Sequence, residues 1–246
     1  MNGFELHNIK HSSASSINLW NAAPDIWIAE KIFGIKSPVG AAAHRGNAVE
    51  AALVNILAYG VDKNEAINQA IQVFNGKTAL SGGEDNEKER SSIPSFVDQG
   101  LEALAPFGKP FFERGGEQNK IDLLCNGDGW SLPVIGYLDL VYPEHGLVID
   151  IKTSHRAPSE MSADHNRQCA IYRRACGNSH VRFLYLTPKK SVWHECPDID
   201  GTLSEIKAIL NDQEKFLRSS TKESLTSWHE EYKRMFIGGR NRFGQK

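Results

Sequence analysis

The stretch Ile135–Thr153, IGYLDLVYPEHGLVIDIKT, decides how this chain is read. It predicts two β-strands joined by a short turn at Pro143–Gly146. The first strand, Pro133 to Tyr142, is rich in Leu, Val, Ile and Tyr and carries Asp139 in its middle. The second, Leu147 to Ile151, is almost wholly apolar, yet Asp150 and Lys152 sit at its end. Strands of this composition belong in a packed sheet. A carboxylate there is costly unless a cation meets it.

Side chains alternate across a strand, so Asp150 and Lys152 share one face. If the two strands pair as a hairpin, Asp139 falls opposite positions 149 to 151. Two carboxylates converging beside one lysine make a hard-oxygen site of the kind that binds Mg²⁺ or Mn²⁺. The plainer alternative is a pair of edge carboxylates and a solvated lysine.

Working outward, three further pieces stand in order around this core. Arg45-Gly-Asn-Ala-Val-Glu50 lies upstream in a helical stretch, and Gln168-Cys-Ala-Ile-Tyr172 lies downstream in another. Residues 13–33, opening with Ser13 to Trp20, read as a helix that Pro24 interrupts, so two shorter helices or a kink are expected there. With Gly136-Tyr-Leu-Asp139 and Asp150-Ile-Lys152, this set resembles the active-site signature of the PD-(D/E)XK nuclease superfamily. It is similar in particular to the RecB-type and lambda-exonuclease-like branch. The resemblance spans about residues 12 to 190; Asp-x-Lys alone is a weak signal, and the ordered set carries the likeness.

The resemblance implies a restriction-endonuclease-like core and a metal-dependent deoxyribonuclease, with Mg²⁺ or Mn²⁺ as cofactor. It implies that Asp139, Asp150 and the Ile151 carbonyl hold metal, joined by Glu50 from the upstream helix. His44 is a rival to Glu50, but six residues turn a helix by about 240°, so the two do not easily face one ion. Lys152 matches the lysine that orients or deprotonates the attacking water. Gln168 and Tyr172, four apart on one helix face, are implied to line the site. Arg45, Ser154, Arg167 and Arg173 are the candidate phosphate contacts; for Arg45 a surface role is the alternative. The iron–sulfur cluster found in some nucleases of the branch is not expected, because the required cysteines are missing. The four cysteines form no CxxC pair, and reduced cytosolic thiols are the simplest account.

The remaining expectations follow from bounds. The chain has 246 residues, 40% hydrophobic and 24% charged, with a net charge of −2. That balance argues against a generally basic nucleic-acid binder and leaves local basic surfaces, such as the run Lys233, Arg234, Arg240, Arg242 and Lys246. No apolar run reaches 18 residues and no apolar leader opens the chain, so a cytoplasmic protein without membrane contact is expected. One α/β domain is predicted, a central mixed sheet flanked by helices. Its helical part covers residues 1–108, its sheet core 109–197 and its closing helices 198–246. DNA is the expected partner, and the exonucleases of phage recombination add a homo-oligomer and a single-strand-annealing recombinase as expectations. A structure- or site-specific endonuclease stays open, as does a nucleic-acid-binding protein with an unused nuclease centre.

Overall fold

The computed structural model describes residues 1–35, 37–80, 84–112, 119–123, 129–130, 132–177, 179–228 and 230. The chain is mixed α/β, with a four-stranded mixed sheet flanked by helices. Its described residues form two compact units.

The first unit gathers residues 1–37, 124–134 and 204–246. Helices α1 (Gly3–Leu6), α2 (Ala14–Ala22) and α3 (Pro24–Lys31) open the chain, and most of α8 (Ile199–Ser219) joins them. Ser13 caps α2 through the Ser16 amide, and Pro24 begins α3, so the interruption at Pro24 makes two helices. Trp27 donates its indole N–H to Ser16 Oγ at 2.8 Å, and Trp20 packs on both Trp27 and Phe216.

The second unit, residues 38–123 and 135–203, holds every residue of the expected site. Helices α4 (Ala41–Tyr59), α5 (Lys63–Thr78) and α6 (Glu84–Leu104) pack on one another. Gly60 ends α4 in the left-handed conformation, and Asp62 caps α5. The polar, glycine-led run from Ser81 turns helical by Glu84; residues 81–83 lie outside the described residues.

Strands β1 (Asn119–Leu123) and β2 (Val134–Leu138) form a two-stranded ladder. The main sheet runs β3 (Leu140–Tyr142), β4 (Leu147–Thr153), β5 (His180–Leu186) and β6 (Ser191–His194). β4 is antiparallel to β3 and parallel to β5, and β6 returns antiparallel to β5. The helix α7 (Ala163–Ala175), capped by Ser162, makes the crossover from β4 to β5.

One expectation changes here. Pro133–Tyr142 is not one strand: the backbone bends at Asp139, and β2 and β3 belong to different ladders. The Asp139 carboxylate itself takes the Ile151 amide proton, replacing a backbone acceptor at the point where the ladder breaks. An isolated bridge pairs Phe111 with Val141; residues 113–118 lie outside the described residues.

Alternation along β4 sorts the two faces of the sheet. Leu147, Ile149 and Ile151 join Leu184 and Leu186 in a core shared with α4, α5 and α6. Asp150 and Lys152 share the opposite face with Phe183 and Tyr185, their register partners on β5. Gly100 lets α6 close on this core, because a Cβ there would stand 2.6 Å from Leu53 Cδ1.

Candidate active site

The hairpin register brings the two strand carboxylates together. Leu140 pairs with Ile149, so the next step along β3 places Asp139 beside Asp150. Asp139 Oδ2 accepts the Ile151 amide at 2.8 Å. Both carboxylates are buried, Asp139 at 8% and Asp150 at 1% exposure.

Asp150 is held from two sides. Lys152 Nζ stands 2.5 Å from its Oδ2, as their shared face requires. Gln168 Nε2 donates to its Oδ1 at 2.9 Å and also reaches Tyr172 Oη at 2.9 Å. Tyr172 in turn donates to the Tyr137 carbonyl at 2.8 Å, two residues before Asp139. The Gln168–Tyr172 face of α7 therefore spans from one carboxylate to the strand that carries the other. Gln168 acts on Asp150 itself.

The electrostatics show an excess of negative charge. Burial raises the Asp139 carboxyl well above its ordinary value, and the charges of Asp150 and Glu50 raise it further. Asp150 is also raised, by burial, although Lys152 opposes the shift. For Lys152, burial favours the neutral amine, but Asp150, Asp139 and Glu50 outweigh it and raise the pKa. Both members of the Asp150–Lys152 pair are thus biased toward holding protons. Among the described residues, two buried carboxylates with a third acid acting on them and the Lys152 ammonium make a site that favours added positive charge.

Glu50, half-buried on α4, acts on Asp139 and Lys152 through its charge. Among the described residues, no three His, Cys, Asp or Glu side chains stand together at metal-binding distance. The donor set still fits Mg²⁺ or Mn²⁺. Mg²⁺ binds through one or two carboxylates and completes its shell with water and substrate oxygens. Asp139 and Asp150 supply that pair of hard oxygens, already adjoining and both with raised pKa values.

The expected phosphate contacts fare differently. Arg45 is only 2% exposed. It ion-pairs with Glu89 and donates to Thr153 O and Oγ1 at 3.0 and 3.1 Å. Its guanidinium also lies 4.6 Å from the Phe96 ring centroid, and His155 Nε2 stands 3.2 Å from Nη1. Neither the phosphate role nor the surface role holds: Arg45 clamps α4 and α6 to the end of β4. Gly46 beside it permits the approach, since a Cβ would meet Thr153 Oγ1 at 3.2 Å. Arg167 is buried too, 2.5 Å from Asp164, and is not available to a strand of DNA. Arg173 spends its guanidinium on the carbonyls of Gly177 and Ser179 at the end of α7. Ser154 lines an open cleft, beside Lys152 and Arg156. The basic run from Lys233 onward lies outside the described residues.

Two residues on the carboxylate side of the sheet escaped the reading of the sequence. His165 Nδ1 and Tyr185 Oη are 2.5 Å apart in the same cleft as Lys152. Their signal was present: His165, Gln168 and Tyr172 repeat at helical spacing of three and four, and Tyr185 is the β5 partner of Lys152.

No family model matches this sequence, and no curated protein matches it. Among solved structures, the crystal structure of SSO0001 is similar over 71% of this chain and 77% of its own, at 17% identity. Its TM-score is 0.35, too slight a likeness to carry an argument. Among the described residues no helix is long and apolar enough to cross a membrane.

Proposed function

We propose that this protein is a divalent-metal-dependent deoxyribonuclease. The observation that carries the reading is the meeting of Asp139 and Asp150, buried on adjoining strands, with Lys152 and Gln168 each engaging one oxygen of Asp150. A structural ion pair needs one acid for one base. Here the Lys152 charge acts on two buried acids, Asp139 and Asp150, an arrangement that costs stability and is expected where charge is used.

Asp139 and Asp150 are the residues that would hold Mg²⁺ or Mn²⁺, with Glu50 and the Ile151 carbonyl as further donors. The metal supplies neutralising charge for the phosphodiester and lowers the pKa of bound water. The chain's own contribution is position. The Ile151 amide sets Asp139, and Gln168 sets Asp150. Lys152, 25% exposed at the edge of the cleft, presents an ammonium to a phosphate oxygen or to the attacking water. Its raised pKa keeps it cationic beside Asp150, so Lys152 would serve as a charge and as an orienting donor. The raised pKa of Tyr172, due first to burial, keeps its hydroxyl protonated as a donor to the Tyr137 carbonyl.

Action from DNA ends, as an exonuclease, rests on the resemblance of the ordered motifs. Linear duplex DNA labelled at the 5′ or the 3′ end tests both parts, alongside a closed circle of the same sequence. Each is incubated with Mg²⁺, Mn²⁺ or EDTA, with K152A as the control. Metal-dependent release of short products from the linear form alone, lost in K152A, is the expected result. A cut circle would replace exonuclease with endonuclease, and an intact set of substrates would remove the nuclease reading.

A further inference from the structure

The cleft beyond Lys152, about 570 Å³ in volume, is not used by the carboxylate pair. Its walls include Lys152, Ser154 and Arg156 from the end of β4 and the connection that follows, Met161 before α7, His165 on α7 and Tyr185 on β5. Glu160 is the one carboxylate lining it. Two cationic side chains and hydroxyls beside a buried methionine suit a nucleotide unit, whose phosphate is anionic and whose sugar and base offer apolar faces. The cleft opens beside the nucleophile-orienting lysine, where the neighbour of a scissile phosphate must lie.

Within it, His165 and Tyr185 form a fixed pair. Their rings lie 5.5 Å apart, with Phe183 behind His165 and the edge of His194 against Tyr185. A phenol is a stronger donor than a neutral imidazole N–H, and the imidazole nitrogen is the stronger acceptor. The short contact is therefore a Tyr185 O–H donated to His165 Nδ1, which leaves the proton of the ring on Nε2. Among the described residues Nε2 has no hydrogen-bond partner. Burial first, and the Lys152 charge second, pull the His165 pKa down to about 4, so the ring is neutral at physiological pH.

We infer that His165, held by Tyr185, is a substrate-contacting residue that donates from Nε2 to a phosphate oxygen of the nucleotide next to the scissile bond. The inference rests on the nuclease reading for the word scissile, but the contact itself concerns the cleft. A neutral donor is suited to this place, because a third cation beside Lys152 and Arg156 would be repelled by both. Tyr185 is a positioning residue. Its hydroxyl selects the tautomer that leaves Nε2 able to donate.

The test uses the full chain, free of metal, with histidine rings labelled for NMR, and thymidine 3′,5′-bisphosphate as the probe. Titration is expected to shift the His165 ring signals, and H165F is expected to weaken binding about tenfold. H165Q, which keeps an N–H donor, restores part of that loss. In cleavage assays on wild-type-active substrate, H165F and Y185F raise KM about five- to twentyfold with a smaller change in kcat, the pattern of a lost binding contact. Unshifted His165 signals at saturating probe, or an H165F variant with wild-type KM, would overturn the assignment even if the wild type cleaves DNA. If the wild type cleaves nothing yet the probe shifts His165 and H165F weakens it, the nuclease reading fails and the nucleotide cleft stands. Should H165F not fold, the wild-type titration and H165Q decide the matter.

Discussion

The Ile151 amide donates to Asp139 Oδ2 at 2.8 Å, so one carboxylate of the site is seated by the strand that carries the other. Asp150 precedes that amide and Lys152 follows it. Three functional groups are thereby registered by a single hydrogen bond across a hairpin, and their spacing does not depend on any long side chain finding its place.

That arrangement is costly without metal. Asp139 is held as a buried carboxylate whose pKa is raised by burial and by its acidic neighbours. A carboxyl with a raised folded pKa costs stability as the pH rises above its unfolded value, reaches the full cost above the folded pKa, and loses the cost as the pH falls back through that window. Asp139→Asn keeps an oxygen acceptor for the Ile151 amide and removes the charge. The expected outcome in EDTA is a higher Tm than wild type, by roughly 2–4 °C for each kcal/mol relieved, together with loss of cleavage. The gain should shrink as the pH falls, because the wild-type carboxyl then takes up its own proton. Thermal denaturation across pH, run in EDTA, measures both.

Lys152→Ala should act in the opposite sense. It removes the cation that faces Asp150 Oδ2 and leaves that buried charge without its lysine, a loss of about 3 kcal/mol at the lower end for broken buried pairs. The lysine is partly exposed, so solvent screening reduces that figure. Added Mn²⁺ should recover much of the stability, since it replaces the missing charge, but not the cleavage. Denaturation with and without Mn²⁺ shows whether the two cations share one electrostatic task.

Gln168→Ala frees Asp150 Oδ1 and unlinks Tyr172 from the carboxylate. Outer partners of metal-binding groups typically change affinity or activity by about 10–100-fold. The expected result is a drop in that range in metal-dependent cleavage, with a rightward shift in Mn²⁺ dependence. Tyr172→Phe loses the donor to the Tyr137 carbonyl and the acceptor for Gln168 but leaves Gln168 on Asp150, so it should cost less. Metal titrations of activity separate the two.

Arg45 offers a stability prediction. Its partner Glu89 is buried, and so are both side chains of the pair. Arg45→Met should destabilise by up to about 3–5 kcal/mol, because the buried Glu89 carboxylate loses its arginine and keeps only the His155 contact at 3.0 Å. Glu89→Gln added to Arg45→Met should recover much of that loss. Urea unfolding of the four proteins in the cycle measures the coupling. A phosphate-binding arginine would instead change the salt dependence of DNA binding and leave folding almost untouched.

Much of the architecture was legible because local rules agree with it. Ser13, Asp62 and Ser162 cap helices, Gly60 and Gly177 follow their ends, and Pro24 divides the opening helix. The hairpin register follows from a turn at Pro143–Gly146, and a period of two places Asp150 and Lys152 on one face. These properties depend on neighbours a few residues away, which a sequence displays directly.

The arginines show where such reading stops. Arg45, Arg167 and Arg173 look alike as letters, three cations near site motifs. Their tasks are set by Glu89, Asp164 and the carbonyls past α7. For Arg45 the deciding partner is 44 positions away. The division of Pro133–Tyr142 at Asp139 has the same origin, a side chain taking an amide twelve residues on. The sequence by itself determined the helices, the hairpin and the shared face of Asp150 and Lys152, since these follow from short-range geometry. Only the tertiary structure decided which charges are buried and which partner each one meets, because burial and pairing are properties of distant segments brought into contact.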